Sequence, residues 1–150
     1  NGQVEAMKRM LGVTIWLVLA LSSFSPVLKA EVVIVNPKLV DLELSQTTLR
    51  AIFAMRIPQW PDGTPIKVFV LQDQNPTHNE FCKSILGMFP YQLRRIWDRQ
   101  VFSGTGAAPV VVNSEQEMLN AVASTEGAIG YISLDNADTH EGIQMIKVDL

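Results

Sequence analysis

The sequence predicts an α/β domain built on a mostly parallel or mixed sheet of about five strands flanked by helices. Two observations carry that reading. Short β-branched runs alternate with segments whose apolar residues recur at helical spacing. The chain beyond its N-terminal apolar stretch suits one hydrophobic core. A single cysteine, Cys82, excludes an internal disulfide and the zinc and redox patterns that need paired cysteines.

Of 150 residues, 47% are apolar and 18% charged. Asn1 to Ala30 are expected to form an N-terminal extension and export segment, leaving residues 31–150 as the folded domain. Setting aside Lys8, Arg9, Lys29 and Glu5 leaves 9 basic and 14 acidic side chains, a formal charge of −5. A general nucleic-acid binder needs the opposite sign, so nucleic acid is not an expected partner.

The export segment runs from Met7 to Ala30. Lys8 and Arg9 precede the apolar run Met10 to Leu21, and Ser22, Ser23 and Pro26 break the helix before Ala30, the expected cut. Met10 to Leu28 is an uncharged stretch of 19 residues, so an uncleaved inner-membrane anchor is the rival to a cleaved signal. The six residues before Met7 fit neither reading.

Glu31 to Val35 reads as the first strand, ended by Asn36 and Pro37. Ser45 is the N-cap of a helix whose buried face is Leu49, Ile52 and Phe53, ending before Pro58. Trp60 to Gly63 is a turn, because proline presets one backbone angle and Asp-Gly tolerates the reversed one. Lys67 to Leu71 is a strand buried on both faces. A helix from Thr77 to Leu86 closes at Gly87. Phe89, Leu93, Ile96, Trp97 and Val101 form a stripe wide enough to pack on a sheet, with Arg94, Arg95, Asp98 and Arg99 on the solvated face. Ser103 to Gly106 and Pro109 form a turn before the strand Val110 to Val112. Ser114 and Glu117 make a capping box for a helix through Met118, Leu119 and Val122, which Gly127 terminates. Ala128 to Ile132 and Ile143 to Val148 are the last strands.

Signals for chemistry are sparse. His78 and Cys82 share a helix face, but a pair of this kind lacks an orienting third group and oxyanion donors, so a packed cysteine near a surface histidine is the plainer expectation. The same two residues supply only half of a tetrahedral metal site, with His140 far away in sequence, and no metal or cofactor is expected. Ser103 to Gly106 resembles a phosphate-cradling loop but follows a helix and opens a strand, the reverse of the usual placement. The segment Asp73 to His78 lies where a strand gives way to a helix, a position whose free N–H groups favour an anion. Pro76 has no N–H to offer, and Glu80, three after Thr77, would complete a capping box on the same donors.

Leu44 to Phe53, continuing to Arg56 and Trp60, resembles a segment of the periplasmic phosphate-binding proteins of ABC importers. The strand Lys67 to Leu71, the loop after it, and Gly127 to Tyr131 extend the match, and Trp97 to Gly104 resembles a stretch found in short, single-lobe members. The resemblance implies one lobe of the periplasmic-binding-protein-like (type II) fold, export to the periplasm, and capture of an oxyanion without catalysis. Family members commonly read Asp-x-Ser-Gly-Thr-Thr after the strand, with an arginine ending it. Asp73 and Thr77 are kept, whereas Asn75, Pro76, His78 and Leu71 replace the serine, the glycine, the second threonine and the arginine. Met55 stands where glycine is usual.

The expectation that follows is an exported solute-binding-like protein, not an enzyme, that takes phosphate or a related oxyanion at Asn75, Thr77 and His78. A lobe open to water should bind weakly unless a second copy or another protein closes the site. The alternative is a ligand-free periplasmic adaptor or sensor module that uses the lobe for contact with a membrane protein. A membrane transporter or sensor and a homodimer are the partners these readings imply.

Overall fold

The computed structural model describes residues 2–9, 30–40, 42–139 and 141–150, without the side chains of residues 138 and 139. Residues 2–9 are helical and exposed. The apolar run at the centre of the expected export segment, and His140, lie outside the described residues. Among the described residues, no helix is long and apolar enough to cross a membrane.

Strand β1 is Glu31–Val35, β2 is Leu44–Ser45, and helix α1 is Gln46–Phe53, capped by Ser45 Oγ accepting from Thr48 N. Strand β3 is Lys67–Leu71. Helix α2 begins at Pro76–Glu80 and widens into a π-helical turn at Phe81–Leu86. Helix α3 is Pro90–Ser103, β4 is Val110–Val112, α4 is Glu115–Ser124 and β5 is Ala128–Ser133. A 3-10 turn at Leu134–Thr139 leads to β6, Gln144–Ile146, and β7, Val148–Asp149.

The main sheet has the order β4-β3-β5-β1-β6. β4, β3 and β5 are parallel, and β1 runs antiparallel to both β5 and β6, so the sheet is mixed. β2 and β7 pair in parallel as a separate two-stranded sheet. The C-terminal ends of β3, β4 and β5 therefore open on one edge, and the loops there lead into α2, α4 and the 3-10 turn.

Side-chain alternation along β5 sends neighbouring residues to opposite layers. A Cβ on Gly130 would lie 2.4 Å from Met118 Sδ, so glycine is what lets α4 sit close to the sheet. Tyr131 instead stacks on Phe81 at 3.8 Å between ring centroids, and Phe53 meets Phe81 edge-on at 4.9 Å. Asn36 explains the end of β1: its buried Nδ2 donates to the carbonyls of Val122 at 3.0 Å and Ala123 at 3.2 Å, tying the strand to the last turn of α4.

Several expectations need correction. The helix expected over Thr77 to Leu86 starts at Pro76 and changes pitch at Phe81; the wider turn lets Phe81, Cys82, Ile85 and Leu86 all point inward. Gln46 Nε2 and Arg50 Nε donate to the carbonyls of Ile85 and Leu86, satisfying the end of that turn. The stripe on α3 is narrow, with Leu93 and Trp97 buried while Phe89 and Val101 stand half exposed. The reason is that α3 docks on the end of α1, Trp97 Nε1 donating to Phe53 O at 2.7 Å and Gln100 Nε2 to Ala54 O at 2.8 Å. Ser114 caps α4, but Glu117 reaches back to Asn113 N at 2.8 Å, one residue earlier than a capping box.

Gly127 does not terminate α4, which ends at Ser124. At φ 77° it passes under the backbone of Pro65, where a Cβ would lie 2.2 Å from the Pro65 oxygen, and its carbonyl accepts from Trp60 Nε1 at 2.9 Å. The strand expected over Ile143 to Val148 divides into β6 and β7, because the chain leaves β1 after Ile146 to pair with Leu44 and Ser45.

Candidate functional site at the strand ends

The loop leaving β3 carries the expected anion contacts. Asn75 is the N-cap of α2 and its Oδ1 accepts from Thr77 N at 2.9 Å. Pro76 follows at the first helical position, where its missing N–H costs nothing. Thr77 is nearly buried. Asn75 and Thr77 thus stand together at the edge of the sheet.

His78 is not the surface residue expected beside a packed cysteine, because its ring is wholly buried. Nδ1 meets the hydroxyl of Tyr131, and Nε2 lies 3.6 Å from Cys82 Sγ and 3.9 Å from Asp73 Oδ1. Leu71 N donates to the same Tyr131 oxygen at 2.9 Å. The hydroxyl hydrogen then serves His78 Nδ1, so the neutral ring carries its proton on Nε2, an assignment made from the network. His78 therefore stands behind Thr77 and not beside it at the rim.

Arg94 is also placed differently from a solvated helix face. Its guanidinium forks onto Asp73, Nε to Oδ2 and Nη2 to Oδ1 at 2.9 Å each, and lies 5.1 Å from the centre of the Trp97 ring. This bidentate bond, outweighing partial burial, holds Asp73 below the usual carboxylate range. Burial pushes the His78 pKa down, against the pull of Asp73 and with help from Arg94. The Asp73 contact at Nε2 is accordingly polar, not ionic, at neutral pH. Burial pushes the Cys82 thiol up to about 12, so the His78 and Cys82 pair holds a protonated thiol in the core and no activated nucleophile.

Neighbouring loops on the same edge are joined to this one. Gln72 Nε2 donates to Asn113 Oδ1 at 3.0 Å. Glu117 accepts from Asn113 N, and Glu115 accepts from Ser133 N and from Asn136 Nδ2. Three backbone donors of the edge, at Thr77, Asn113 and Ser133, are thus taken by side chains of this chain. Among the described residues, no cluster of three or more histidine, cysteine, aspartate or glutamate side chains suits a metal ion.

Tyr131 and Arg94 are parts of this site that were not expected there. A tyrosine in the middle of an otherwise apolar strand was the available signal, since a buried phenol needs a partner. Nothing local announces that Arg94 serves a loop 21 residues earlier.

A family described as a PBP superfamily domain matches residues 23–148. The chain belongs to that family. This PBP superfamily domain also shares its fold with solved structures of low identity. An ABC-type phosphate transport receptor from Vibrio cholerae superposes with TM-score 0.62 at 20% identity, over 80% of this chain and 46% of the other. PstS from Borrelia burgdorferi gives 0.62 at 18%, over 80% and 47%. A protein from Clostridium perfringens solved with bound phosphate gives 0.64 at 20%, over 80% and 45%. This PBP superfamily domain therefore spans less than half the length of these structures. No curated protein matches the chain.

Proposed function

We propose that this PBP superfamily domain is a solute-binding lobe that takes phosphate or a related oxyanion at the strand-end edge, without covalent chemistry. The observation that carries this is the position of Asn75 and Thr77, where a parallel strand ends and a helix begins in a fold shared with phosphate-transport proteins. The Asn75 amide, the Thr77 hydroxyl and the backbone N–H groups at the start of α2 are the contacts, and His78 supports them from the core. Because Asn75 Oδ1 already accepts from Thr77 N, an anion replaces one acceptor by another, and the net gain is that of an exchange. An edge open to water binds weakly, so closure by a second copy or another protein belongs to the same reading. So do export through Met7 to Ala30 and a membrane transporter as partner.

The test is calorimetric titration of the full chain with inorganic phosphate. Binding in the millimolar range or tighter is expected, weakened about tenfold in Thr77→Ala. No heat and no thermal shift at millimolar phosphate would remove the ligand claim.

The ligand-free adaptor is the second reading, and one observation favours it. The donors at Thr77, Asn113 and Ser133 are already partnered, two of them by carboxylates. On that reading, phosphate leaves the melting temperature unchanged while a membrane-protein partner raises it.

A further inference from the structure

Directly behind Asn75 and Thr77, a buried tyrosine and a buried histidine meet the end of β3. That strand pairs with β5 through Lys67↔Ala128 and Val68↔Ile129, and with β4 as far as Leu71↔Val112. At Leu71 the amide donates to the Tyr131 hydroxyl, from β5, at 2.9 Å. That hydroxyl is in turn held by His78, one residue beyond Thr77. The six residues between these two anchors, Gln72 to Thr77, are the candidate binding loop.

We propose that Tyr131 and His78 are a buried positioning pair that fixes where β3 ends and where the Asp73 to Thr77 loop stands. The pairing itself stands on geometry, and only the consequence for an anion rests on the oxyanion reading above. The groups facing His78 are Tyr131 from β5, Cys82 on its own helix, Asp73 from the loop and Arg94 from α3, with the Trp97 ring at 6.4 Å. A proton added to Nδ1 turns that nitrogen into a second donor toward the Tyr131 oxygen, which already accepts from Leu71. The hydroxyl hydrogen then loses its acceptor, and the anchor of the loop loosens in acid.

Amide hydrogen exchange followed residue by residue, with calorimetry on the same samples, tests this. Tyr131→Phe keeps the ring stacked on Phe81 and removes only the oxygen. It is expected to lower protection of Leu71 and Thr77 at least tenfold, with Val68 as the unchanged internal control. In the wild type, Leu71 protection relative to Val68 falls as pH drops below the ordinary histidine range. His78→Asn, which keeps an acceptor and cannot titrate, retains Leu71 protection without that pH dependence, whereas His78→Ala loses it at every pH. Unchanged Leu71 protection in Tyr131→Phe, or identical behaviour of the asparagine and alanine variants, would overturn the pairing. In the phosphate titration Tyr131→Phe binds about tenfold more weakly than wild type. If wild type binds no phosphate, the oxyanion reading fails and the exchange data still decide the pair.

Discussion

His78 shows how one residue's surroundings set its use. Its spacing from Cys82 was legible in the sequence, and the two do meet, but burial decides what the contact is worth. The folded pKa of His78 lies below its unfolded value, so above about pH 6.5 both forms are neutral and the group costs nothing. As pH falls below that value the unfolded chain takes up a proton that the folded chain refuses, and stability declines. Asp73, also depressed, acts in the same direction at lower pH: its contribution is present above the ordinary aspartate range and is lost as pH falls through the folded pKa. Melting temperature measured against pH should therefore drop from pH 7 to pH 5 in the wild type and less in His78→Asn; equal slopes would refute the burial argument. The Asp73 and Arg94 fork is about a third exposed on both sides. Arg94→Ala should cost about 1 kcal/mol in urea unfolding, since solvent screens such pairs.

At the scale of elements, the sequence was most readable where local chemistry alone fixes structure. Ser45 as a cap, Asp62 and Gly63 in a turn, and the apolar run of β3 all lie where their residues require. What escaped was set by contacts distant in the chain. The π-helical turn of α2 is shaped by what Phe81 and Leu86 must reach, and the break between β6 and β7 by a partner strand about a hundred residues earlier. Gly127 is the clearest case, since its helix-ending look conceals a close pass under Pro65. Gly127→Ala should cost about 3 kcal/mol or more, because the obstacle is backbone and φ is positive. Gly130→Ala should cost less, about 1 to 3 kcal/mol, because the obstacle is the flexible end of Met118. Asn36→Ala should cost about 1 to 3 kcal/mol by leaving the carbonyls of Val122 and Ala123 without their donor. Chemical denaturation ranks the three; Gly130→Ala at or above Gly127→Ala would contradict the packing account.

For the molecule as a whole, the mixed sheet with helices on both faces was predictable from the alternation of β-branched runs and helical stripes. The candidate site was legible only in part. Asn75 and Thr77 stand together at the strand end, as their place between β3 and α2 suggested, while Tyr131 and Arg94 reach the same loop from β5 and α3 by routes no spacing reveals. What the lobe offers an anion depends on the Thr77 hydroxyl and on whether side chains that now fill its backbone donors give way. Titration of the full chain with inorganic phosphate, wild type beside Thr77→Ala, measures that most directly. Saturable heat is expected for the wild type and about tenfold weaker binding for the variant. Equal affinity of the two proteins, or no heat from either at millimolar phosphate, would contradict that expectation.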